Sequence, residues 1–146
     1  MSELRLKRVG PVEVPLPEYQ SERAAGLDLC AALTAAVTLA PGERRSIPTG
    51  LVMAIAPGYE GQVRARSGLA LRHGIGMLNG VGTIDADFRG EVCVLLVNLG
   101  HEPFRVEPLA RIAQLVIAKV DRVQVTLAVD LDDTPRGAGG FGSTGA

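Results

Sequence analysis

Residues 91–98 of the chain read EVCVLLVN, and every residue from 92 to 97 is apolar. A short apolar run of this kind is typical of a β-strand that is buried on both faces. Such a strand needs protein packed against each of its faces. The run therefore predicts a double-layered roll, or a strand that lies at a contact between subunits.

Similar short runs recur along the chain and are separated by turn signals. Glycine and proline supply 18 and 9 of the 146 residues, so turns interrupt the chain often. The other apolar runs read LRLKRV, GLVMAIA, RIAQLVIAKV and VQVTLAV, and the turn signals are Pro41-Gly42, Pro48-Thr49-Gly50, Pro57-Gly58 and Asn79-Gly80. This pattern predicts an all-β sandwich or barrel. The best helix candidate is one short turn or helix at residues 67–74, which Ser67 would cap.

The chain changes character at residue 131, where periodicity ends and glycine becomes frequent. We therefore expect a folded domain at residues 1–130 and a flexible tail at residues 131–146. Gly137, Gly139 and Gly142 have the spacing of a dinucleotide-binding loop, but the helix that such a loop must open is lacking. Phe141 is either an ordinary exposed aromatic residue or part of a lid that stacks on a flat ligand.

The charge and length of the chain exclude several classes of function. The formal net charge is -1, so binding to nucleic acids or membrane surfaces through bulk positive charge is not expected. No apolar run is long enough to span a bilayer and no signal-peptide pattern is present, which predicts a cytoplasmic protein. Cys30 and Cys93 form no C-x-x-C motif, so we expect two reduced, mostly buried thiols and no zinc site.

Three arginines, Arg64, Arg66 and Arg72, surround a Ser-Gly pair at residues 67–68. Arginine side chains beside such a turn suit a phosphate group, which accepts bidentate hydrogen bonds. Strict alternation in residues 60–66 places Glu60, Gln62, Arg64 and Arg66 on one strand face. We interpret that face as solvated, and Arg66 as the stronger phosphate candidate.

Residues 79–92, NGVGTIDADFRGEV, are predicted to form a hairpin with Asp85, Asp87 and Phe88 at its tip. The two carboxylates could bind a metal, or one could act as a general base. Acidic residues beside glycines are also common turn formers, so both interpretations stay open. Phe88 at a glycine-bounded turn favours stacking against a ring.

Asp28 lies in the otherwise apolar run AGLDLCAA, residues 25–32. A buried carboxylate needs a partner because unpaired burial is costly. Arg111 and Gln114 pose the same question in RIAQLVI, residues 111–117, where strict alternation predicts that they lie on opposite strand faces. Pairing of Asp28 with Arg111 would satisfy both charges.

In this order, the segments AGLDLCAA, RARSGLA, NGVGTIDADFRGEV, RIAQLVI and RGAGGFGSTG resemble the five motifs of the homotrimeric dUTP pyrophosphatase (dUTPase) family. The resemblance covers nearly the whole chain. It implies a jelly-roll subunit and a trimer with three active sites, each drawing on all three chains. It also implies hydrolysis of dUTP to dUMP and pyrophosphate, with the C-terminal tail as a mobile lid.

The resemblance also implies roles for individual residues. Asp85 matches the general base that activates water for attack on the α-phosphorus. Asn79 and the backbone of residues 80–84 match the segment that reads uracil, and Phe88 matches the aromatic residue under the deoxyribose. Within the uracil-reading segment the matching residues are Gly82, Thr83 and Ile84. The residues that match phosphate contacts, supporting positions and the lid are, in chain order, Asp28, Arg66, Ser67, Gly68, Arg111, Gln114, Arg136, Gly139, Gly140, Phe141, Gly142, Ser143 and Thr144.

Among these, Gln114 matches the α-phosphate contact, Arg136 and residues 139–144 match the β- and γ-phosphate contacts, and Phe141 matches the residue that covers uracil. Asp28 and Arg111 match supporting positions. Family members use Mg²⁺ held mainly by the three phosphates and water, which fits a chain without an all-protein cage.

Two positions depart from the family pattern. Ala65 stands where the family usually has proline, and Phe88 stands where it commonly has tyrosine. The alternatives are a dCTP deaminase or bifunctional deaminase of the same fold and a non-catalytic trimer that senses dUTP. Deaminases use a glutamate in the hairpin region, whereas this chain has Asp85 there and its Glu91 lies beyond Gly90, which disfavours deamination.

Overall fold

The structure is a computed structural model that describes residues 3–143 and 145. Over these residues the chain forms ten β-strands and one short helix, so the all-β prediction is confirmed. The elements are β1 Arg5–Arg8, β2 Leu27–Cys30, β3 Val37–Leu39, β4 Arg44–Ala54, β5 Tyr59–Ala65, α1 Ser67–His73, β6 Ile75–Met77, β7 Gly82–Ile84, β8 Glu91–Asn98, β9 Phe104–Val106 and β10 Arg111–Lys119. No helix of the described part is long and apolar enough to cross a membrane.

Two antiparallel four-stranded sheets enclose one hydrophobic core. Their strand orders are β1-β4-β8-β6 and β2-β10-β5-β7, and β3 pairs with β9 as a separate ribbon. Side chains of both sheets and of the ribbon meet in this core, among them the fully buried Leu29, Leu39, Leu96 and Leu115. The arrangement fits the double-layered roll that the apolar runs predict.

Strand β8 carries the apolar run EVCVLLVN and is buried on one face over residues 91–96 within the single chain. Val92, Val94 and Leu96 enter the core, whereas Cys93 is exposed. Within one chain the second face is covered only toward its end, where Val97 is buried, so burial of that face at a contact between subunits stays a prediction. The expectation that Cys93 is mostly buried is wrong within one chain. The cause is that residues 91–96 keep the usual two-residue alternation despite the continuous apolar sequence of residues 92–97. Both cysteines are free thiols, as expected.

The predicted turn at Pro48-Thr49-Gly50 is a bulge inside the eleven-residue strand β4. The pairing of β4 with β8 shifts between Pro48 and Val52, and Gly50 has a positive φ of 67°. Groups of β8 hold the bulge: the Thr49 hydroxyl donates to the Val92 carbonyl (2.6 Å), and the Gly50 amide donates to the Glu91 carboxylate (2.9 Å). The sequence signals the backbone irregularity, but only these contacts keep it inside a strand.

Helix α1 confirms the helical prediction at residues 67–74, with one correction. Its N-cap residue is Arg66 and not Ser67, because Arg66 is the residue in extended conformation before the first turn. Gly74 ends the helix in the left-handed conformation (φ 68°), and its amide bonds the Ala70 carbonyl. This glycine C-cap is a common way for a helix to end.

The prediction of a strand at VQVTLAV, residues 123–129, is wrong for the single chain. The last strand ends at Lys119, and residues 121–138 are exposed throughout. Val123, Val125, Leu127 and Val129 are each at least 80% exposed. An alternating segment becomes a strand only when it pairs with another strand, and in the described chain this segment has none.

Candidate active site

A buried carboxylate organises the candidate site. Asp28 on β2 is 6% exposed. Its oxygens accept hydrogen bonds from the Arg111 guanidinium (Nη1 to Oδ2, 3.1 Å) and the Gln114 amide (Nε2 to Oδ1, 3.2 Å). The Arg66 Nε lies 3.6 Å from Asp28 Oδ1. These four residues are called the Asp28 cluster below, and they confirm the predicted pairing of Asp28 with Arg111.

A bulge in β10 brings Arg111 and Gln114 to the same carboxylate. Gln114 lies opposite Asp28 in the β2–β10 ladder, and the register shifts between Arg111 and Ala113. The consecutive residues Ile112 and Ala113 are both buried, which strict alternation does not allow. The prediction that Arg111 and Gln114 lie on opposite faces is therefore wrong, because one extra residue restores them to one side.

The cluster presents positive charge to the solvent. Arg66 follows the end of β5, where its Nη1 also donates to the Arg111 carbonyl (3.1 Å). One carboxylate faces two guanidinium groups, and the Arg66 and Arg111 side chains are 28% and 51% exposed. The Asp28 carboxylate thus holds two guanidinium groups in place and neutralises only one of their two positive charges. Each guanidinium can donate two parallel hydrogen bonds, so the cluster suits a phosphate.

Ser67 and Gly68 continue from Arg66 into the first turn of α1. Ser67 is exposed, and the Arg72 guanidinium lies beside Gly68, where a methyl group would stand 2.9 Å from Arg72 Nη2. The sequence suggested no role for Arg72 beyond its nearness to the Ser-Gly pair. The contact between Arg72 and Gly68 could have been predicted from their spacing of four residues, since residues four apart are neighbours on a helix.

The strand face beside Arg64 is solvated, as predicted. Arg64 donates to the Gln62 side-chain oxygen (2.5 Å), and Gln62 donates to the Glu60 carboxylate (2.8 Å). Arg64 is exposed and makes this contact along its own strand. Arg64 is therefore separate from the Asp28 cluster.

The segment of residues 79–92 does not form the predicted hairpin. β7 pairs with β5, while β8 pairs with β4 and β6, so the chain crosses from one sheet to the other between β7 and β8. The crossover is a turn in which the Phe88 amide bonds the Asp85 carbonyl (3.1 Å). Asp85, Asp87 and Phe88 are exposed on this turn, and the Phe88 ring covers Gly90 so closely that a methyl group there would stand 2.5 Å from Cζ.

Three features of this segment bear on ligand binding. Thr83 and Asp85 line a cleft of about 940 Å³, together with Asp87 and Arg89. The Asn79 side chain lies beside Gly82, where a methyl group would stand 3.2 Å from its amide nitrogen. β7 forms the outer edge of its sheet, so Thr83 and Ile84 belong to a strand with one unpaired backbone edge.

Within one chain, Asp85 lies far from the Asp28 cluster. Thr83 faces Gln62 in the ladder, so Asp85 is level with Glu60. Arg66 follows Glu60 by six extended residues, which corresponds to about 20 Å. The structure therefore gathers three of the five motif segments into the Asp28 cluster and leaves Asp85 at the opposite end of β5.

The tail makes its described hydrogen bonds within itself. Arg136 Nε donates to the Gly139 carbonyl (2.8 Å), and the Ser143 amide donates to the Gly140 carbonyl (3.0 Å). Phe141 is fully exposed, with a positive φ of 50°. Thr144 lies outside the described residues. The tail thus adds no residue to the Asp28 cluster of its own chain.

The thiols are poor candidates for a nucleophile. Burial raises the pKa of the Cys30 thiol, and the neighbouring Asp28 charge raises it further. Partial burial also raises the pKa of the Cys93 thiol, although the residue as a whole is exposed. Both thiols are therefore protonated near neutral pH, and the thiolate is the reactive form. Over residues 3–143 and 145, no group of three or more His, Cys, Asp or Glu side chains is placed to hold a metal ion.

Comparisons with known proteins agree on one family. The family model for dUTPase matches residues 12–145. The deoxyuridine 5'-triphosphate nucleotidohydrolases of Anaeromyxobacter sp. (strain Fw109-5) and Methylocella silvestris are 58% and 59% identical to this chain, covering 97% and 92% of it and 97% and 85% of the relatives. The dUTPase of Staphylococcus bacteriophage 80alpha with dUPNHPP has a TM-score of 0.85 at 26% identity over 99% of both chains. The similarity confirms the jelly-roll fold.

We expect Asp28→Asn to lower the free energy of unfolding by about 1–3 kcal/mol, because it removes the charge that pairs with both guanidinium groups. Urea unfolding followed by circular dichroism measures the change. Glu107→Gln is the matched control, since the Arg105–Glu107 pair is exposed on both sides and should change stability by less than about 0.5 kcal/mol. Equal losses in the two variants would contradict the organising role of Asp28.

Proposed function

The chain belongs to the dUTPase family, and from this premise we propose that it is a dUTP diphosphatase whose site residues act as their motifs imply. The reaction hydrolyses dUTP to dUMP and pyrophosphate, which keeps uracil out of DNA and supplies dUMP for thymidylate synthesis. The observation that carries the proposal is the Asp28 cluster. Three motif segments that are remote in sequence meet there on one buried carboxylate, with two guanidinium groups and an amide.

The Asp28 cluster and the adjoining Ser67 and Gly68 bind the phosphates. Gln114 donates one N–H to Asp28, which leaves its second N–H for the α-phosphate. Arg66 offers bidentate donors to the phosphate oxygens. Asp28 and Arg111 support this arrangement, because Asp28 orients both the guanidinium and the amide that face the substrate.

Asp85 is the general base. Its exposed carboxylate lines a cleft and takes the proton from a water that attacks the α-phosphorus in line. The bond from the α-phosphorus to the bridging oxygen breaks, and pyrophosphate leaves. No covalent intermediate with the protein forms, so beyond this proton transfer the protein supplies positioning and charge stabilisation.

The β7 segment reads the base. β7 has a free backbone edge, and unpaired N–H and C=O groups can hydrogen-bond uracil as a partner base would. Gly82, Thr83, Ile84 and the Asn79 side chain supply this surface. Phe88 stacks under the deoxyribose; it keeps the aromatic ring that the family commonly supplies with tyrosine but lacks the hydroxyl.

The active site is shared between chains of a homotrimer. Asp85 and Arg66 are about 20 Å apart along β5 in one chain, too far to act on one triphosphate. Two chains that meet with opposite ends of β5 can place both at one substrate. The exposed apolar residues of segment 123–129 also favour a partner subunit that covers them.

The tail closes the site from a neighbouring chain. Arg136, Gly139, Gly140, Gly142, Ser143 and Thr144 hold the β- and γ-phosphates, and Phe141 covers the uracil. The full exposure of Phe141 in its own chain supports closure over another subunit. The division into a domain at residues 1–130 and a lid at residues 131–146 belongs to this proposal.

Magnesium enters with the substrate. The donors at the Asp28 cluster are cationic guanidinium and amide groups, which fit phosphate oxygens and leave the ion to be held by the phosphates and water. When bound, Mg²⁺ neutralises charge on the phosphates. A cytoplasmic location fits the two free thiols. No observation favours a deaminase or a non-catalytic sensor.

A substrate panel tests the reaction. We expect pyrophosphate and dUMP from dUTP in the presence of Mg²⁺, and no product from dTTP, dCTP or UTP, because the base and sugar contacts exclude them. Chromatography of the nucleotides after incubation measures the products. Ammonia release from dCTP would instead identify a deaminase, and tight dUTP binding without turnover would identify a sensor.

Replacement of the base should separate binding from turnover. Asp85→Asn is expected to lower kcat by about 10²–10⁴-fold, the usual contribution of a general base, while the affinity for dUPNHPP stays within about twofold. Asp87→Asn, two residues away and also exposed, is the matched control and should keep wild-type turnover. If both variants lose activity equally, Asp85 is not the base.

Mixed oligomers test the shared site. Asp85→Asn and Arg66→Ala chains are each expected to be inactive alone, whereas refolding them together should restore about a quarter of the wild-type activity, because random mixing gives that share of sites with both native residues. Asp85→Asn chains that are unfolded and refolded alone are the control, and they should stay inactive. Absence of recovery in folded mixed oligomers would show that each site lies within one chain.

A further inference from the structure

We infer that the loop of residues 98–100 positions the phosphate-binding segment, residues 66–68. It does so through a backbone contact between Gly100 and the C-terminal end of α1, which is the end opposite Ser67 and Gly68. This inference rests on the proposed role of Arg66, Ser67 and Gly68 in binding phosphate. Gly100 and Asn98 are positioning residues here, since they act through α1 and touch no substrate.

The core alone does not fix helix α1. The helix has seven residues and none of them is fully buried. Leu69 is its one partly buried apolar side chain that packs against the core, and Leu71 is 87% exposed. An α-helix usually takes its position from a buried apolar face. The orientation of α1 must therefore depend strongly on the contacts at its two ends.

The C-terminal end of α1 is held by backbone contacts with the 98–100 loop. The Leu99 amide donates to the Gly74 carbonyl (2.9 Å). A methyl group at Gly100 would stand 2.4 Å from the His73 carbonyl oxygen, and one at Gly74 would stand 2.6 Å from the Gly100 nitrogen. The two glycines thus allow the backbone of the 98–100 loop to approach the end of α1 more closely than any residue with a side chain would permit.

Asn98 makes the loop rigid. Its side chain is fully buried, and its amide group donates to the carbonyls of Leu39 (3.0 Å) and Glu102 (2.8 Å). Its side-chain oxygen accepts a hydrogen bond from the Gly100 amide (2.9 Å). The bond to Leu39 is buried and the other two are partly buried. Because buried hydrogen bonds are costly to lose, Gly100 cannot move away from α1 easily.

A ring contact adds to the backbone contact at the same end of the helix. The His73 and Phe104 rings are 5.0 Å apart between centroids and tilted by 44°. Phe104 begins β9 and packs against the core. Displacement of His73 would therefore also break this contact, and a short helix transmits the shift to Ser67 and Gly68 at its other end.

The test is Gly100→Ala with Gly76→Ala as the matched control. Gly76 lies on the neighbouring β6, and a methyl group there would be 4.0 Å from its nearest neighbour, Val97 Cγ1, an ordinary contact. Both changes have the same effect on the unfolded chain. We expect Gly100→Ala to raise KM for dUTP and the Kd for dUPNHPP by about tenfold or more, and Gly76→Ala to leave both unchanged.

Calorimetry distinguishes positioning from simple loss of fold. A positioning role weakens Kd while the number of binding sites per chain stays constant, whereas partial unfolding lowers that number at unchanged Kd. If Gly100→Ala does not fold, Phe104→Leu removes the ring contact without adding a clash, and its Kd should rise about two- to threefold. A Kd equal to that of the wild type in the folded variant overturns the inference. Failure of the wild type to hydrolyse dUTP would instead overturn the proposed function.

Discussion

The architecture of the site depends on one constraint, the cost of burying the Asp28 carboxylate. A buried charge must be paired and hydrogen-bonded or it destabilises the fold. Asp28 meets this requirement with two guanidinium groups and an amide from β10 and from the end of β5. The same contacts that stabilise the carboxylate orient the donors that face the solvent. The stability of the fold and the proposed recognition of phosphate therefore have a common origin.

A second constraint is the length of β5. The strand separates Asp85 from Arg66 by about 20 Å, so a single chain carries the proposed base and the proposed phosphate-binding arginine at opposite ends of one strand. The free edge of β7 and the exposed segment of residues 123–129 are further surfaces that the chain leaves without a partner. All three features have the same explanation if the working unit contains several chains.

The predictions from sequence succeeded where the physical cause is local or chemical. The all-β class follows from short apolar runs and frequent turns, and the Asp28–Arg111 pair follows from the cost of an unpaired charge. They failed where a neighbouring strand decides the outcome. The turn at Pro48 became a bulge because Val92 and Glu91 supply the hydrogen bonds that hold it. Likewise, β7 pairs with β5 and not with β8, although β8 follows it in the chain.

The sequence by itself determined the class of fold, the family and the residue types of the site, since alternation, turn residues and motif order are properties of the chain. Tertiary structure alone decided how those residues meet. The bulge between Arg111 and Ala113 turns Arg111 and Gln114 toward one carboxylate, and the Gly74–Gly100 contact places α1. Both depend on the register of strands far apart in sequence, and a one-residue shift in register redirects every side chain that follows.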